Sequence, residues 1–176
     1  IDGNGQVPVG LVEAAADMRS TGVIFAPASG RQLANLRAVL GPAVDGSPLI
    51  AENGSLVVLG SEEIHSDTIC AEDTAAAITT TRDLARAGYD VGAVVACKHR
   101  AYIERSDPAF LAQAKLYYEA LEIVDDLTTI PLDEVLKVAV FDFDDVEDGS
   151  SQALTAAVPR VQTVVSGMHW TDMMSP

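Results

Sequence analysis

The sequence predicts an α/β fold, and three features of the chain indicate it. An apolar run at residues 23–28 leads directly into Ser29, Gly30 and Arg31 and then into a helix-like segment. About twenty residues later a second apolar run ends in the polar residues 52–54. Short helices and strands then alternate to the end of the chain. Because ligands of open α/β sheets bind beyond the carboxyl ends of strands, we expect both polar clusters to face one crevice.

The first part of the chain is typical of a βαβ unit followed by a β-hairpin. Pro8 favours the start of a helix, and Gly22 favours its end. Residues 23–28 have the continuous apolar character of a buried strand. The predicted elements are helices at 9–19 and 31–40, strands at 23–28 and 49–51, and a hairpin with strands at 55–59 and 62–65.

The character of the chain changes near Cys70, where a long Ala- and Thr-rich helix begins. Asp107 followed by Pro108 predicts an N-cap and a first helical residue. The predicted elements of this part are helices at 71–87, 107–120 and 151–158, and strands at 91–98, 101–105, 136–143 and 161–166. These elements predict a separate α+β domain, so we divide the chain into residues 1–68 and 69–176.

Composition excludes several classes of partner. The net charge is −15 and only 11 residues are basic, which argues against binding to nucleic acid. No apolar run approaches the length of a membrane span, and no signal-peptide pattern opens the chain. We therefore predict a cytoplasmic protein with no nucleic-acid or membrane partner. Cys70 and Cys97 lack metal-site spacing and are predicted to be two buried thiols.

Residues 29–31 have the chemistry of an oxyanion site. A hydroxyl, a glycine and a guanidinium follow a strand where a helix begins, so several donors converge on one place. Together with the second cluster, residues 28–31 and 51–54 resemble the Cof-type branch of the haloacid dehalogenase (HAD) superfamily. The resemblance implies a Mg²⁺-dependent phosphatase of small phosphorylated metabolites. It also implies a Rossmann-like core, partial in this chain, with an inserted α+β cap domain.

Three motifs of that family are missing from these residues. The resemblance puts the nucleophilic aspartate motif just before Ile1, and the lysine and metal-binding motifs after Pro176. The chain therefore looks like an excised or ordered piece. We expect the parent protein to contain more chain, and the 176 residues alone to be inactive.

Residues 138–146 look like a substitute for the first motif, since an apolar strand runs into Asp142 and Asp144. However, Asp145 and Val146 stand where the motif has Gly and Thr, and the motif order is also wrong. We interpret this segment as a cap strand with an exposed acidic end.

The resemblance implies roles for four residues. Ser29 would donate its hydroxyl to a phosphate oxygen as the catalytic residue, and Gly30 would let the backbone approach the phosphate. Arg31 either reaches the substrate or braces the loop. Asn53 either contacts the leaving-group hydroxyl or braces the loop. Glu52 is predicted to be structural.

The predicted function is hydrolysis of a sugar phosphate or cofactor-type phosphomonoester through an aspartyl-phosphate. The alternative is a non-catalytic pseudo-phosphatase that binds phosphometabolites, and a phosphomutase is a third possibility. Three histidines are candidates for functional residues: His65 beside Asp67, His99 beside Arg100, and His169 near Asp172. The first two are interpreted as surface residues, and the third pair lacks a further metal ligand.

Overall fold

The structure is a computed structural model that describes residues 6–144, 146 and 149–176. Its helices and strands confirm the predicted α/β fold. The chain forms two compact units, Ile1–Ser66 and Asp67–Pro176. Within the described residues, every helix is too short or too polar to cross a bilayer.

The first unit contains two helices and a three-stranded antiparallel sheet. The helices are α1 (Leu11–Ser20) and α2 (Leu33–Leu40), and the strands are β1 (Pro48–Ala51), β2 (Leu56–Leu59) and β3 (Glu62–Ser66). The order in the sheet is β1-β2-β3, which confirms the predicted hairpin. Helix α1 starts after Gly10, which has a left-handed backbone, and Ala15 is its one buried residue. Leu36 of α2 and Leu49 and Leu56 of the sheet are also buried, so this helix and the sheet both contribute to the core of the first unit.

The prediction of a strand at residues 23–28 is wrong, because the structure has no strand there. Within the described residues, only Ala28 of this segment forms a bridge, a parallel one to Ile50. Val23 and Ile24 are 48% and 75% exposed. A β-strand requires a neighbouring strand that pairs with several of its residues in succession, and this segment has such a partner only at its last residue.

The second unit is a six-stranded sheet with three helices. The strands are β4 (Val91–Cys97), β5 (Ala101–Ile103), β6 (Leu121–Ile123), β7 (Val135–Asp142), β8 (Gln162–Val165) and β9 (Trp170–Met174). The helices are α3 (Ala71–Arg86), α4 (Pro108–Ala114) and α5 (Ser150–Ala157). The order in the sheet is β6-β5-β4-β7-β9-β8, and the β5–β6 pair alone is parallel.

Helices cover both faces of this sheet, which explains why β4 and β7 are buried along their whole length and, apart from two charged residues of β7, are apolar or small. On one face, Ile78 of α3 and Leu154 of α5 pack with alternate residues of β4 and β7. On the other face, Phe110 of α4 packs with Ala139 and Phe141 of β7. Strands that are buried on both faces have no solvent-exposed side, so their sequences are mainly apolar and do not alternate with polar residues.

Helix α4 begins as predicted and ends earlier. The Asp107 carboxylate accepts a hydrogen bond from the Phe110 main-chain N–H at 3.2 Å, which confirms the predicted N-cap. The helix stops at Ala114 instead of residue 120. Tyr117 contacts the Trp170 ring, and the adjacent Tyr118 is buried on the same face of the sheet. Consecutive residues of an α-helix point about 100° apart. An irregular turn, unlike a continued helix, lets both tyrosines face the sheet.

The end of β7 differs from its prediction. The strand itself is confirmed, but Asp142 is only 1% exposed, so the expected exposed acidic end begins at Asp144. The Asp142 main-chain N–H donates to the carbonyl oxygen of His169, and its carboxylate accepts from the N–H of Asp144. These contacts hold Asp142 inside the unit. Asp145 lies outside the described residues.

Both cysteines are free thiols. Cys97 is buried, as predicted, whereas Cys70 is exposed and the prediction of burial is wrong for it. Cys70 is the N-cap of α3, and its thiol lies 3.1 Å from a carboxylate oxygen of Asp73. A cap residue lies at the end of its helix, where solvent reaches it.

Candidate anion-binding site

The candidate site is a loop that is tied to a strand end by main-chain hydrogen bonds. Ile50 donates to Pro27 at 3.0 Å, and Ser29 donates to Ile50 at 2.9 Å. Farther on, Asn53 donates to the Ser29 carbonyl at 3.2 Å and Glu52 donates to the Arg31 carbonyl at 3.1 Å. The structure therefore brings Ser29, Gly30, Arg31 and Asn53 together in two adjoining segments. Their chemical roles stay predictions.

Ser29 is half-buried, and its side chain stabilises the loop. Its Oγ accepts a hydrogen bond from the Arg31 main-chain N–H at 3.2 Å. This contact forms a short turn in which the serine side chain replaces a main-chain acceptor. A serine hydroxyl has one proton and two acceptor positions, so accepting this bond leaves its proton able to donate to another group.

Gly30 lies directly against the side chain of Asn53. A Cβ atom on Gly30 would lie 3.3 Å from the Asn53 Cγ and closer still to its Oδ1. A side chain at position 30 would therefore require the Asn53 amide to move.

Arg31 contacts the start of the following helix. Its Nη1 donates to Oδ1 of Asn35, a buried residue of α2, at 2.8 Å. One of the two predicted roles, bracing the loop, thus has a contact in the structure.

Residues 52 and 53 have an unusual backbone. Glu52 has φ 48° and Asn53 has φ 59°, and they are the only non-glycine residues with positive φ in the described part of the chain. The Glu52 side chain is 1% exposed. Asparagine adopts this conformation readily, whereas glutamate rarely does. Sequence reasoning did not find this feature, because positive φ is expected mainly at glycine.

The described residues contain no cluster of side chains suited to a metal ion. In that part of the chain, no group of three or more His, Cys, Asp or Glu side chains could hold a metal ion. Magnesium is bound by clustered carboxylate and carbonyl oxygens. The described residues therefore do not fit a Mg²⁺ site.

The three histidines lie apart from this loop in sequence and have their own surroundings. His65 and His99 are exposed. His169 Nδ1 lies 3.0 Å from the carbonyl oxygens of Asp142 and of Asp144, so this nitrogen must carry the hydrogen. Asp172 instead accepts from Ser166 at 2.9 Å and pairs with Lys137. His169 and Asp172 therefore have separate partners.

Comparison with known protein families identifies the chain. A family model of haloacid dehalogenase-like hydrolases matches residues 1–176. The chain belongs to this family. Membership of the HAD superfamily, expected from residues 28–31 and 51–54, is confirmed. Among curated proteins, none is significantly similar to the sequence.

Several solved structures share the fold of this chain. A protein from Eubacterium rectale is 20% identical with a TM-score of 0.81, covering 99% of this chain and 65% of that one. A haloacid dehalogenase-like hydrolase from Bacteroides thetaiotaomicron is 14% identical with a TM-score of 0.82, covering 99% and 66%. A HAD subclass IIB sugar phosphatase is 17% identical with a TM-score of 0.75, covering 97% and 63%. The chain thus spans about two thirds of the length of these proteins.

Proposed function

We propose that the protein containing this chain is a cytoplasmic, Mg²⁺-dependent phosphatase that hydrolyses a small phosphorylated metabolite, either a sugar phosphate or a cofactor-type phosphomonoester. Its HAD family membership supports a hydrolase. One of the similar structures is a sugar phosphatase, which supports this substrate class. The single observation that carries the proposal is the attachment of the Ser29–Gly30–Arg31 loop to residues 50–53 by main-chain hydrogen bonds.

In this proposal the loop binds the phosphoryl group. The Ser29 hydroxyl donates to one phosphoryl oxygen, and Gly30 allows the backbone to approach it. The Arg31 guanidinium offsets part of the negative charge while one of its nitrogens stays bonded to Asn35. A hydrogen bond to a charged group is worth about 1.5–3 kcal/mol. Ser29 is therefore expected to contribute measurably to phosphate affinity.

The reaction itself requires a nucleophile, which we propose to be an aspartate outside these 176 residues. Its carboxylate oxygen would bond to phosphorus while the bond to the leaving oxygen breaks and that oxygen takes a proton. Water would then release phosphate from the aspartate. Two observations support further chain in the parent protein: the exposure of Val23 and Ile24, and the coverage of about two thirds of similar proteins. The described residues contain no group of side chains that could bind the magnesium ion, so we propose that its ligands also lie outside them.

The binding half of the proposal is tested by isothermal titration calorimetry of the chain with inorganic phosphate. We expect binding that Ser29→Ala weakens about tenfold or more. Ser20→Ala is the matched control, because its hydroxyl donates only to a main-chain carbonyl of its own helix end. Equal affinity of the Ser29→Ala variant and the wild type would refute the role of Ser29.

The catalytic half is tested with p-nitrophenyl phosphate and Mg²⁺. We expect turnover by the parent protein and none by the 176-residue chain. Turnover by the chain alone would refute its predicted inactivity. Phosphate binding without turnover in the parent protein would favour the alternative, a non-catalytic module that binds phosphometabolites.

A further inference from the structure

We propose that the first unit binds a small zwitterion, of the class of apolar α-amino acids, in a second cleft. The cleft lies among the end of α2, the 3₁₀ turn Gly41–Val44, the start of β1 and the β2–β3 turn. Its volume is about 460 Å³, which is within the range of pockets for small molecules. The residues that line it are separate from residues 29–31 and 50–53, so the proposal is independent of the phosphate site.

The cleft carries one positive charge. Arg37, an exposed residue near the end of α2, donates from Nη2 to the carbonyl oxygen of Gly60 in the β2–β3 turn. This bond holds the guanidinium at the cleft. Within the described residues no carboxylate pairs with Arg37, so its other donor hydrogens can meet a ligand. A planar guanidinium suits a carboxylate group, which it can bind through two parallel hydrogen bonds.

The same cleft carries one negative charge. Asp45 lines it as an exposed residue directly after the 3₁₀ turn. In the part of the chain that the structure describes, the Asp45 carboxylate forms no ion pair with Arg37 or with another cation. The C-terminal end of α2, at Gly41, also borders the cleft, and the carbonyl groups of a helix end favour a cation. Both features favour an ammonium group and disfavour a multiply charged anion such as phosphate.

The floor of the cleft is apolar. Val44 and Leu49 are buried residues that line it. Gly46 and Gly60 also line it, and a Cβ atom on either would meet no atom within 4 Å, so the space beside them is open. The apolar floor suits a hydrocarbon side chain, and the two charges suit a carboxylate and an ammonium group. An apolar α-amino acid combines these three parts in one small molecule.

Isothermal titration calorimetry of the parent protein with L-leucine tests the proposal, and we expect saturable binding. Isocaproate lacks the ammonium group of leucine, and isoamylamine lacks its carboxylate. Each should bind about tenfold more weakly or worse, because it satisfies only one of the two charges. Arg37→Gln and Asp45→Asn should each weaken leucine binding about tenfold or more. Arg86→Gln, at an exposed arginine of α3, is the matched control.

Three results would overturn the proposal: no saturable leucine binding, equal affinity for the three probes, or unchanged leucine affinity in either cleft variant. Arg37→Gln also removes the bond to Gly60, whereas Asp45→Asn tests the cleft without removing a hydrogen bond of α2. Phosphate affinity should be the same in both variants as in the wild type. A matching loss of phosphate affinity would show that the two ligands share one site. Leucine binding without phosphate binding would leave this proposal standing and refute the proposed phosphate site.

Discussion

The main-chain N–H of Ser29 donates to the carbonyl oxygen of Ile50 at 2.9 Å. This bond involves no side chain, so replacing Ser29 leaves it in place. The Ser29 hydroxyl makes a separate contact, in which it accepts from the Arg31 N–H. Substitution at this residue therefore tests the hydroxyl while the loop stays attached to β1.

The first prediction concerns Ser29→Thr alongside Ser29→Ala. Threonine keeps the hydroxyl, so it should retain phosphate affinity within about threefold, whereas alanine should lose about tenfold or more. Both variants should keep the melting temperature within a few degrees of the wild type, because the bond to Ile50 persists. Calorimetric titration with phosphate measures the affinities. Equal losses in both variants would show that the hydroxyl is not the group that matters.

The second prediction concerns the pH dependence at Asp126. The Thr128 hydroxyl, the Arg82 guanidinium and the Thr128 N–H all donate to this carboxylate and lower the pKa of Asp126 to about 2. An unfolded aspartate has a pKa of about 3.9. The stabilisation is therefore present above about pH 4 and is lost as the pH falls toward 2. Its size is small, because the side chain is solvent-exposed.

Thr128→Ala should raise the pKa of Asp126 toward its ordinary value. An NMR titration of the Asp126 carboxylate between pH 1.5 and about pH 6 measures this directly. Thr21→Ala is the control, since the Thr21 hydroxyl donates only to carbonyls of α1. An unchanged midpoint in Thr128→Ala would contradict the assignment of the main cause to this hydroxyl.

The third prediction distinguishes the two cysteines. Burial, followed by the nearby Glu134 and Asp133 carboxylates, raises the pKa of the Cys97 thiol to about 12. The thiolate is the reactive form, so Cys97 should be inert near pH 8. Cys70 is exposed and should react. A colorimetric thiol assay should therefore find one fast thiol in the native protein and two in denaturant.

Cys70→Ser provides the control for this assay. It should remove the fast reaction of the native protein and leave a single thiol that reacts only after unfolding. A rapid reaction of Cys97 in the folded Cys70→Ser variant would contradict its burial.

The fourth prediction concerns the core of the second unit. Phe110 is 0% exposed, and its ring fills the space beside Gly92. Phe110→Ala should lower the free energy of unfolding by about 3–5 kcal/mol, because it leaves a cavity. Leu116→Ala, at a residue that is 55% exposed, should change it by less than about 0.5 kcal/mol. Urea denaturation of both variants measures the difference, and similar losses would contradict the packing.

Much of the fold follows from local patterns in the sequence. The predicted strands at 91–98 and 136–143 correspond to β4 and β7, because strands buried on both faces are mainly apolar. The cap at Asp107 is a local hydrogen bond that its residue type specifies. Such features depend on neighbours in sequence, so they can be predicted without knowing the tertiary contacts.

The features that were missed depend on distant partners. The apolar character of residues 23–28 indicates burial but cannot supply the neighbouring strand that would pair with them. The burial of Asp142 depends on His169, which is distant in sequence. At the candidate site, Ser29 and Gly30 stood out in the sequence, whereas the packing of Asn53 on Gly30 appears only when the two segments meet.

The most direct test of a phosphate site at Ser29, Gly30 and Arg31 is a titration of the ¹⁵N-labelled chain with inorganic phosphate, followed by amide NMR. Sodium chloride at equal ionic strength is the control for nonspecific charge effects. We expect saturable shifts at the amides of Gly30, Arg31 and Gln32, and no comparable shifts in the second unit. Shifts spread over the whole chain, or none at Gly30, would contradict the account.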